Sequence, residues 1–83
     1  MDKYYILTFQ NTLGAINGEN QLKERKIKIE IMPTPTAITK SCGISIKINN
    51  DDIEQIKRLL RENKINIKNI YFRNDDGYKI CEF

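Results

Sequence analysis

The chain has 83 residues, which is room for one small domain, and we treat residues 1–83 as a single unit. It is 40% hydrophobic and 30% charged with a net charge of +3, as is typical of globular proteins, and its basic residues are dispersed. No run approaches the roughly 20 apolar residues that cross a bilayer, and the chain starts without a signal-peptide pattern. We therefore expect a cytoplasmic protein that does not bind membranes.

The residue types that are missing exclude several kinds of chemistry. The chain has no histidine, so a Ser-His-Asp or Cys-His nucleophile and a His-ligated zinc site are excluded. Two cysteines alone do not close a zinc site, and no glycine motif for phosphates or dinucleotides is present. We therefore expect no metal and no cofactor, and cysteines that remain free thiols. Nucleic acid binding is also disfavoured, because the aromatic motif of RNA-binding strands is absent.

The chain begins with a predicted strand and a predicted helix. Tyr4 to Gln10 is rich in aromatic and β-branched residues, which is typical of a strand buried on both faces. Asn11 or Thr12 then caps a helix, in which Gly14 and Gly18 either weaken the helix or allow a close approach to the sheet. The predicted buried side of this helix comprises Ala15, Ile16, Glu19 and Leu22.

Two strands with an alternating pattern follow, one on each side of a connection that contains both prolines. Isoleucine occupies every second position, and charged or hydroxyl residues occupy the others, which predicts half-buried strands. The inward isoleucines are Ile27, Ile29, Ile31, Ile44, Ile46 and Ile48. The outward residues are Lys28, Glu30, Ser45 and Lys47. The charges in the first of these strands also suit the edge of a sheet.

The remainder of the chain predicts a helix and a hairpin. Asn50 or Asp51 caps the helix, and its apolar stripe comprises Ile53, Ile56, Leu59 and Leu60. The stretch "INIKNIYF" predicts a fourth strand. Asp76 and Gly77 then predict a two-residue turn into a short fifth strand, Tyr78 to Phe83. Asp75 and Asp76 are interpreted as turn residues and not as a metal site.

The order of these elements predicts the fold class. A β-α-β-β-α-β sequence predicts an α+β ferredoxin-like sandwich, with two helices on one face of an antiparallel sheet and a short extra C-terminal strand. The usual strand order of that fold, 4-1-3-2, places the first strand between Cys42 and Cys81. We therefore predict that these two cysteines do not form a disulfide.

The connection between the second and third strands is the strongest candidate for a functional site. It takes roughly ten residues where two would close a hairpin, and long loops in small domains tend to be functional. Its prolines restrict the backbone, and Gly43 leaves space beside the thiol of Cys42. Lys40, Ser41 and Thr39 supply a cation and hydroxyl donors that favour a thiolate. The alternative is a packing role, since Cys42 shares the inward parity of the isoleucines that follow it.

The same stretch resembles a family motif. "PTPTAITKSCG" is similar to the pattern Pro-x-Pro-x-x-Ile-x-x-Ser-Cys-Gly of the selenium/sulfur (Se/S) carrier-like family, which is bacterial. "YILTFQNTLGAINGENQL" resembles the opening strand and helix of that family, and the resemblance extends over about residues 4 to 73. It implies that Cys42 carries a persulfide or selenopersulfide, with a persulfide donor and an acceptor protein as partners.

Two hypotheses about function therefore stay open. In the first, the protein is a carrier rather than a stand-alone enzyme, and the thiolate of Cys42 accepts and passes on sulfur or selenium. In the second, it is a non-catalytic interaction or regulatory module with a structural cysteine, whose open sheet face binds a partner or a second copy of the chain. Cys81 is interpreted as a packing or partly exposed residue of the terminal strand. Glu19 is either a helix-border residue that reaches solvent or a buried carboxylate that bonds the cysteine loop.

Overall fold

A computed structural model describes residues 3–35, 38 and 43–81. These residues form an α+β structure, as predicted, with five strands and two α-helices. In chain order the elements are β1 (Tyr4–Thr8), α1 (Thr12–Glu24), β2 (Ile29–Pro33), β3 (Ile44–Asn49), α2 (Ile53–Arg61), β4 (Asn69–Asn74) and β5 (Gly77–Cys81).

The five strands form one antiparallel sheet in the order β2-β3-β1-β4-β5. β1 is central, and its Leu7 lies opposite Ile46 of β3 and Ile70 of β4. β2 is an edge strand, as its charges predicted, and β5 forms the other edge. The predicted C-terminal strand is therefore confirmed.

Both helices contribute to a single core on one face of the sheet. Leu7, Ile46 and Ile70 share that face because they are register partners. The buried core cluster comprises Leu7, Phe9, Ala15, Leu22, Ile27, Ile46, Ile48, Ile53, Ile56, Leu59, Ile65 and Ile70. The isoleucines that alternate along β3 thus supply the centre of the core, as their period of two predicts.

The α1 helix begins where the sequence predicted. The side-chain oxygen of Asn11 accepts a hydrogen bond from the backbone N–H of Gly14 at 2.8 Å, which satisfies one of the orphan donors of the first turn. Gly18 is buried against the ring of Phe9, and a Cβ at this position would lie 2.9 Å from the nearest ring carbon. Glycine at this position is therefore needed for close packing. The prediction for Ile16 was wrong, since 47% of this residue is exposed.

The α2 helix begins later than predicted. Residues Asn50–Asp52 form a 3₁₀ turn, and α2 itself starts at Ile53 without a side-chain cap. The prediction that Asn50 or Asp51 caps the helix was therefore wrong, because the chain leaves β3 in the tighter helical turn before it widens. The predicted apolar stripe is present, with Ile53, Ile56 and Leu59 buried.

Further boundaries differ from the predictions, and the first of these is that β1 ends at Thr8 and not at Gln10. β2 starts at Ile29, and Ile31 is 45% exposed because only one strand flanks β2. β4 starts at Asn69, since Ile65 and Ile67 pack on the core from the connection that precedes the strand. The hairpin turn is one residue earlier than predicted, with Asp75 and Asp76 at its tip and Gly77 opposite Asn74.

Candidate functional site

Three connections of the chain meet at one end of the sheet. β1 and β2 finish there, and β3 and β4 begin there, as the pairs Thr8–Ser45, Thr8–Asn69 and Pro33–Ile44 show. We call this end the loop end, and it comprises the connections 9–11, 34–43 and 62–68. The opposite end, which we call the turn end, comprises the connections 25–28, 50–52 and 75–76.

The predicted site residues fall in the 34–43 connection. Cys42, Ser41, Lys40 and Thr39 lie outside the described residues. Gly43, which follows Cys42 in the sequence, lies at the loop end, where its carbonyl oxygen accepts a hydrogen bond from the backbone N–H of Thr34 at 3.0 Å. Its φ lies outside the left-handed region, and no heavy atom of the described residues beyond its chain neighbours approaches within 4 Å of the position of a Cβ. The described part of the chain therefore leaves the space beside Gly43 open.

Three hydroxyl groups to which the sequence assigned no role in the site lie in or beside this connection. The Thr34 and Ser45 hydroxyls share a hydrogen bond of 2.6 Å, and the Thr8 hydroxyl donates to the carbonyl oxygen of Asn69 at 3.2 Å. Thr8 and Ser45 are fully buried although they face away from the helices. Ser45 is thus on the face that the alternation predicted, but it is buried and not exposed as expected of an outward residue. The signal that could have revealed this group was its position next to an unusually long connection.

The loop end also carries a cleft of about 580 Å³ between the start of α1 and the segment before β4. Its polar lining consists of side-chain amides and one cation, namely Gln10, Asn11, Asn17, Asn66 and Lys68. Leu13, which is 77% exposed, and Ile67 add an apolar part. The backbone N–H of Lys68 donates to the carbonyl oxygen of Thr8 at 2.7 Å and holds this segment against β1.

A second cleft of about 360 Å³ lies on the other side of the same segment. The end of α2 contributes Lys57, Leu60 and Arg61, and the connection contributes Asn63 and Ile65. Asn66 and Ile67 line both clefts, so the two form one continuous surface. Sequence reasoning missed these clefts, since their residues come from α1, α2 and the connections and have no shared pattern along the chain.

The sheet face opposite the helices has a different character. The ammonium of Lys47 lies 4.4 Å from the ring centre of Tyr4, and the guanidinium of Arg73 lies 4.7 Å from that of Tyr78. Each of these two cations therefore makes a cation–π contact with a tyrosine ring. Ile6 lies on this face between Lys47 and Tyr71 in the register and is fully buried. The centre of this face is therefore already packed.

The second cysteine lies on β5, with its side chain against the core. Cys81 is a half-buried free thiol, as the interpretation of a packing or partly exposed residue required. Burial raises its pKa, and the nearby ammonium of Lys57 opposes part of that rise. Burial also raises the pKa of Tyr5, with smaller contributions from Cys81 and Glu54. A thiol with a raised pKa is a poor nucleophile at neutral pH.

The other candidates resolve into structural roles. Glu19 forms an ion pair of 2.7 Å with Lys23 one turn later, so it is the helix-border residue and not a buried carboxylate. The side-chain amide of Asn74 accepts from the backbone N–H of Asp76 at 2.8 Å, which supports the hairpin turn. Among residues 3–35, 38 and 43–81, no three His, Cys, Asp or Glu side chains come together in a way that could hold a metal ion.

Comparison with known proteins identifies the family. Residues 4–72 match the family model described as "Putative Se/S carrier protein-like", and the chain belongs to this family. β5 lies outside the matched region. No curated protein and no solved structure matches the chain significantly. Within the described part of the chain, neither helix has the length and apolar character to cross a membrane.

Proposed function

We propose that this protein carries sulfur or selenium on Cys42 and hands it from a donor protein to an acceptor. The observation that carries this proposal is the family match, which covers residues 4–72 and so includes the whole 34–43 connection. Two features of the described residues support it. No described residue fills the space beside Gly43, and the connections of the loop end offer clefts in which a partner can bind.

The proposed step is an exchange of a sulfur atom between thiols. The thiolate of Cys42 attacks the terminal sulfur of a donor persulfide, R–S–SH, and a new S–S bond forms while the bond between the donor's two sulfur atoms breaks. The donor leaves as R–S⁻, and Cys42 becomes a persulfide that retains the transferred proton. A nucleophile of the acceptor then attacks the terminal sulfur and releases the Cys42 thiolate. A selenopersulfide follows the same course with selenium as the terminal atom.

The surroundings of Cys42 are proposed to favour its thiolate. Lys40 supplies a cation, Ser41 and Thr39 supply hydroxyl donors, and Gly43 leaves the sulfur accessible. Such an exchange needs a thiol that is kept reduced, which suits a cytoplasmic location. We also assign the fold to the ferredoxin-like class, which the order of the elements and the central position of β1 support.

Intact mass spectrometry after incubation with glutathione persulfide tests the proposal. We expect the wild-type chain and the Cys81→Ala variant to gain the mass of one sulfur atom, and the Cys42→Ala variant to gain none. Treatment with a reductant removes the added sulfur and provides a control for its chemical nature. Equal labelling of Cys42→Ala and the wild type, or labelling only after denaturation, would overturn the carrier function. The interaction module with a structural cysteine would then be the better explanation.

A further inference from the structure

Among the described residues, the charged side chains that line the two clefts of the loop end are all positive. They are Lys57 and Arg61 in the second cleft and Lys68 in the first. No Asp or Glu lines either cleft within the part of the chain that the structure describes. Arg61 and Lys68 are exposed, and no ion pair of their side chains is found among the described residues. This surface therefore attracts anions.

The uncharged side chains that line the two clefts indicate which class of partner fits them. Four side-chain amides line the first cleft, and amides both donate to and accept from the backbone of an extended peptide. The oxygen of Asn11 caps α1, and the amide nitrogen of Asn17 donates to the carbonyl oxygen of Lys64 at 3.4 Å. Gln10 and Asn66 therefore provide the amides without such a bond among the described residues. Leu13 and Ile67 provide apolar contact beside them. No aromatic side chain lines either cleft within the described residues, whereas proteins that bind single-stranded nucleic acid stack bases on aromatic rings. The lining thus fits an acidic peptide segment better than a nucleic acid.

We propose that these clefts are the docking surface for an acidic segment of the protein that gives sulfur or selenium to Cys42 or takes it away. This proposal rests on the proposed function and adds the chemistry of the partner. The loop end brings the clefts and Gly43 to the same end of the sheet, so a partner seated in the clefts lies on the side from which the cysteine connection leaves β2. Lys57, Arg61 and Lys68 pair with its carboxylates, and the amides hold its backbone.

A peptide titration tests the docking surface separately from the sulfur chemistry. The probe is hexaglutamate with blocked ends, added to the ¹⁵N-labelled Cys42→Ala variant, and the readout is the change in amide chemical shifts. We expect the largest changes at residues 10–17 and 60–68. Charge reversal at the clefts, Arg61→Glu with Lys68→Glu, is expected to weaken binding by at least about tenfold.

The matched control reverses two exposed lysines at or near the turn end, Lys3→Glu with Lys28→Glu, and changes the net charge of the chain by the same amount. We expect this control to weaken binding by less than about threefold, through long-range attraction alone. Equal weakening by both double variants, or shift changes centred on Lys47 and Arg73, would overturn the docking surface. Tighter binding of a six-nucleotide oligothymidylate than of hexaglutamate would also overturn it.

The two proposals fail in different ways. Binding of hexaglutamate in the clefts without persulfide formation on Cys42 would leave the docking surface standing and contradict the carrier function. Persulfide formation without binding in the clefts would contradict the docking surface and leave the carrier function standing. The Cys42→Ala background ensures that the titration reports contact alone, since the thiol that would exchange sulfur is absent.

Discussion

The two ends of the sheet are built differently. At the turn end, a two-residue turn joins β4 to β5, a 3₁₀ turn joins β3 to α2, and residues 25–28 join α1 to β2. At the loop end, the connection 34–43 has ten residues and the connection 62–68 has seven. Left-handed backbone conformations occur at both ends, with a φ of 59° at Lys26 and 115° at Gly77 at the turn end and 58° at Asn63 at the loop end. The two clefts described above both lie at the loop end.

This difference indicates which end of the domain can form a binding surface for a partner. In a short turn the polar backbone groups are used in the hydrogen bonds that close the turn. A long connection instead has side chains and backbone groups that face solvent. The loop end is nevertheless anchored. Phe9 and Ile65 are buried in the core, and the Thr34–Ser45 hydrogen bond fastens the start of the 34–43 connection to β3. We therefore expect a binding surface on a fixed base.

Truncation of Phe9 tests the anchor of the loop end and should have the largest effect. Phe9 is fully buried and packs against Gly18, so Phe9→Ala leaves a cavity in the core. We expect it to lower the free energy of unfolding by about 3–5 kcal/mol, measured by urea denaturation. Leu13→Ala, at an exposed position two residues into α1, should change it by less than about 0.5 kcal/mol. A loss below about 1 kcal/mol in Phe9→Ala would mean that the loop end is not anchored through the core.

Gly77 at the turn end and Gly43 at the loop end allow the two ends to be compared by the same substitution. Gly77 has a φ that L-residues rarely adopt, so Gly77→Ala should cost about 1–2 kcal/mol of unfolding free energy. Gly43 has an ordinary φ, and no atom of the residues that the structure describes would contact a Cβ there. Gly43→Ala should therefore leave the stability unchanged or raise it by up to about 1 kcal/mol, since alanine restricts the unfolded chain. Thermal and urea denaturation of both variants measure the difference. Equal losses would contradict the contrast between the ends.

The hydroxyl pair beside the 34–43 connection should have a moderate effect. A double-mutant cycle of Thr34→Val and Ser45→Ala isolates its contribution, which we expect to be about 1 kcal/mol. Thr34→Val alone should cost more than Ser45→Ala alone, because it leaves the fully buried hydroxyl of Ser45 without its partner. A coupling energy near zero would mean that this hydrogen bond does not fasten the connection.

The smallest effect concerns the pH dependence of stability at β5. The pKa of Cys81 is raised in the folded state, so above about pH 8.5 the unfolded chain releases its thiol proton first. The unfolded state then binds fewer protons, and the stability falls as the pH rises through the two pKa values. Tyr5 acts in the same direction from about pH 10.

Urea denaturation at pH 7.5 and 9.5 compares the wild type with the Cys81→Ala variant. The variant should lose less stability over this interval, because it has no thiol to ionise at that position. Cys42→Ala serves as the control and should keep the fall that Cys81 causes. An unchanged slope in Cys81→Ala would show that the thiol has the same pKa in the folded and unfolded chains.

Periodicity along the chain predicted most of the elements of the fold. The isoleucines at every second position of β3 predicted a strand with one buried face, and the stripe of Ile53, Ile56 and Leu59 predicted α2. Local capping chemistry at Asn11 predicted the start of α1. These features depend on neighbours in the sequence, and short-range geometry is enough to specify them.

Other features depended on residues that are distant in the sequence, and only the tertiary structure decided them. Ile16 and Ile31 are exposed because no helix or strand of the described residues covers them, and Ser45 is buried although its position in the alternation faces away from the helices. The requirement for glycine at position 18 comes from the ring of Phe9. The two clefts exist because the start of α1, the end of α2 and the segment before β4 meet at one end of the sheet. The sequence determined the elements and pointed to Cys42 through a resemblance to a family pattern, whereas burial and the clefts arise from long-range packing, which no local pattern encodes.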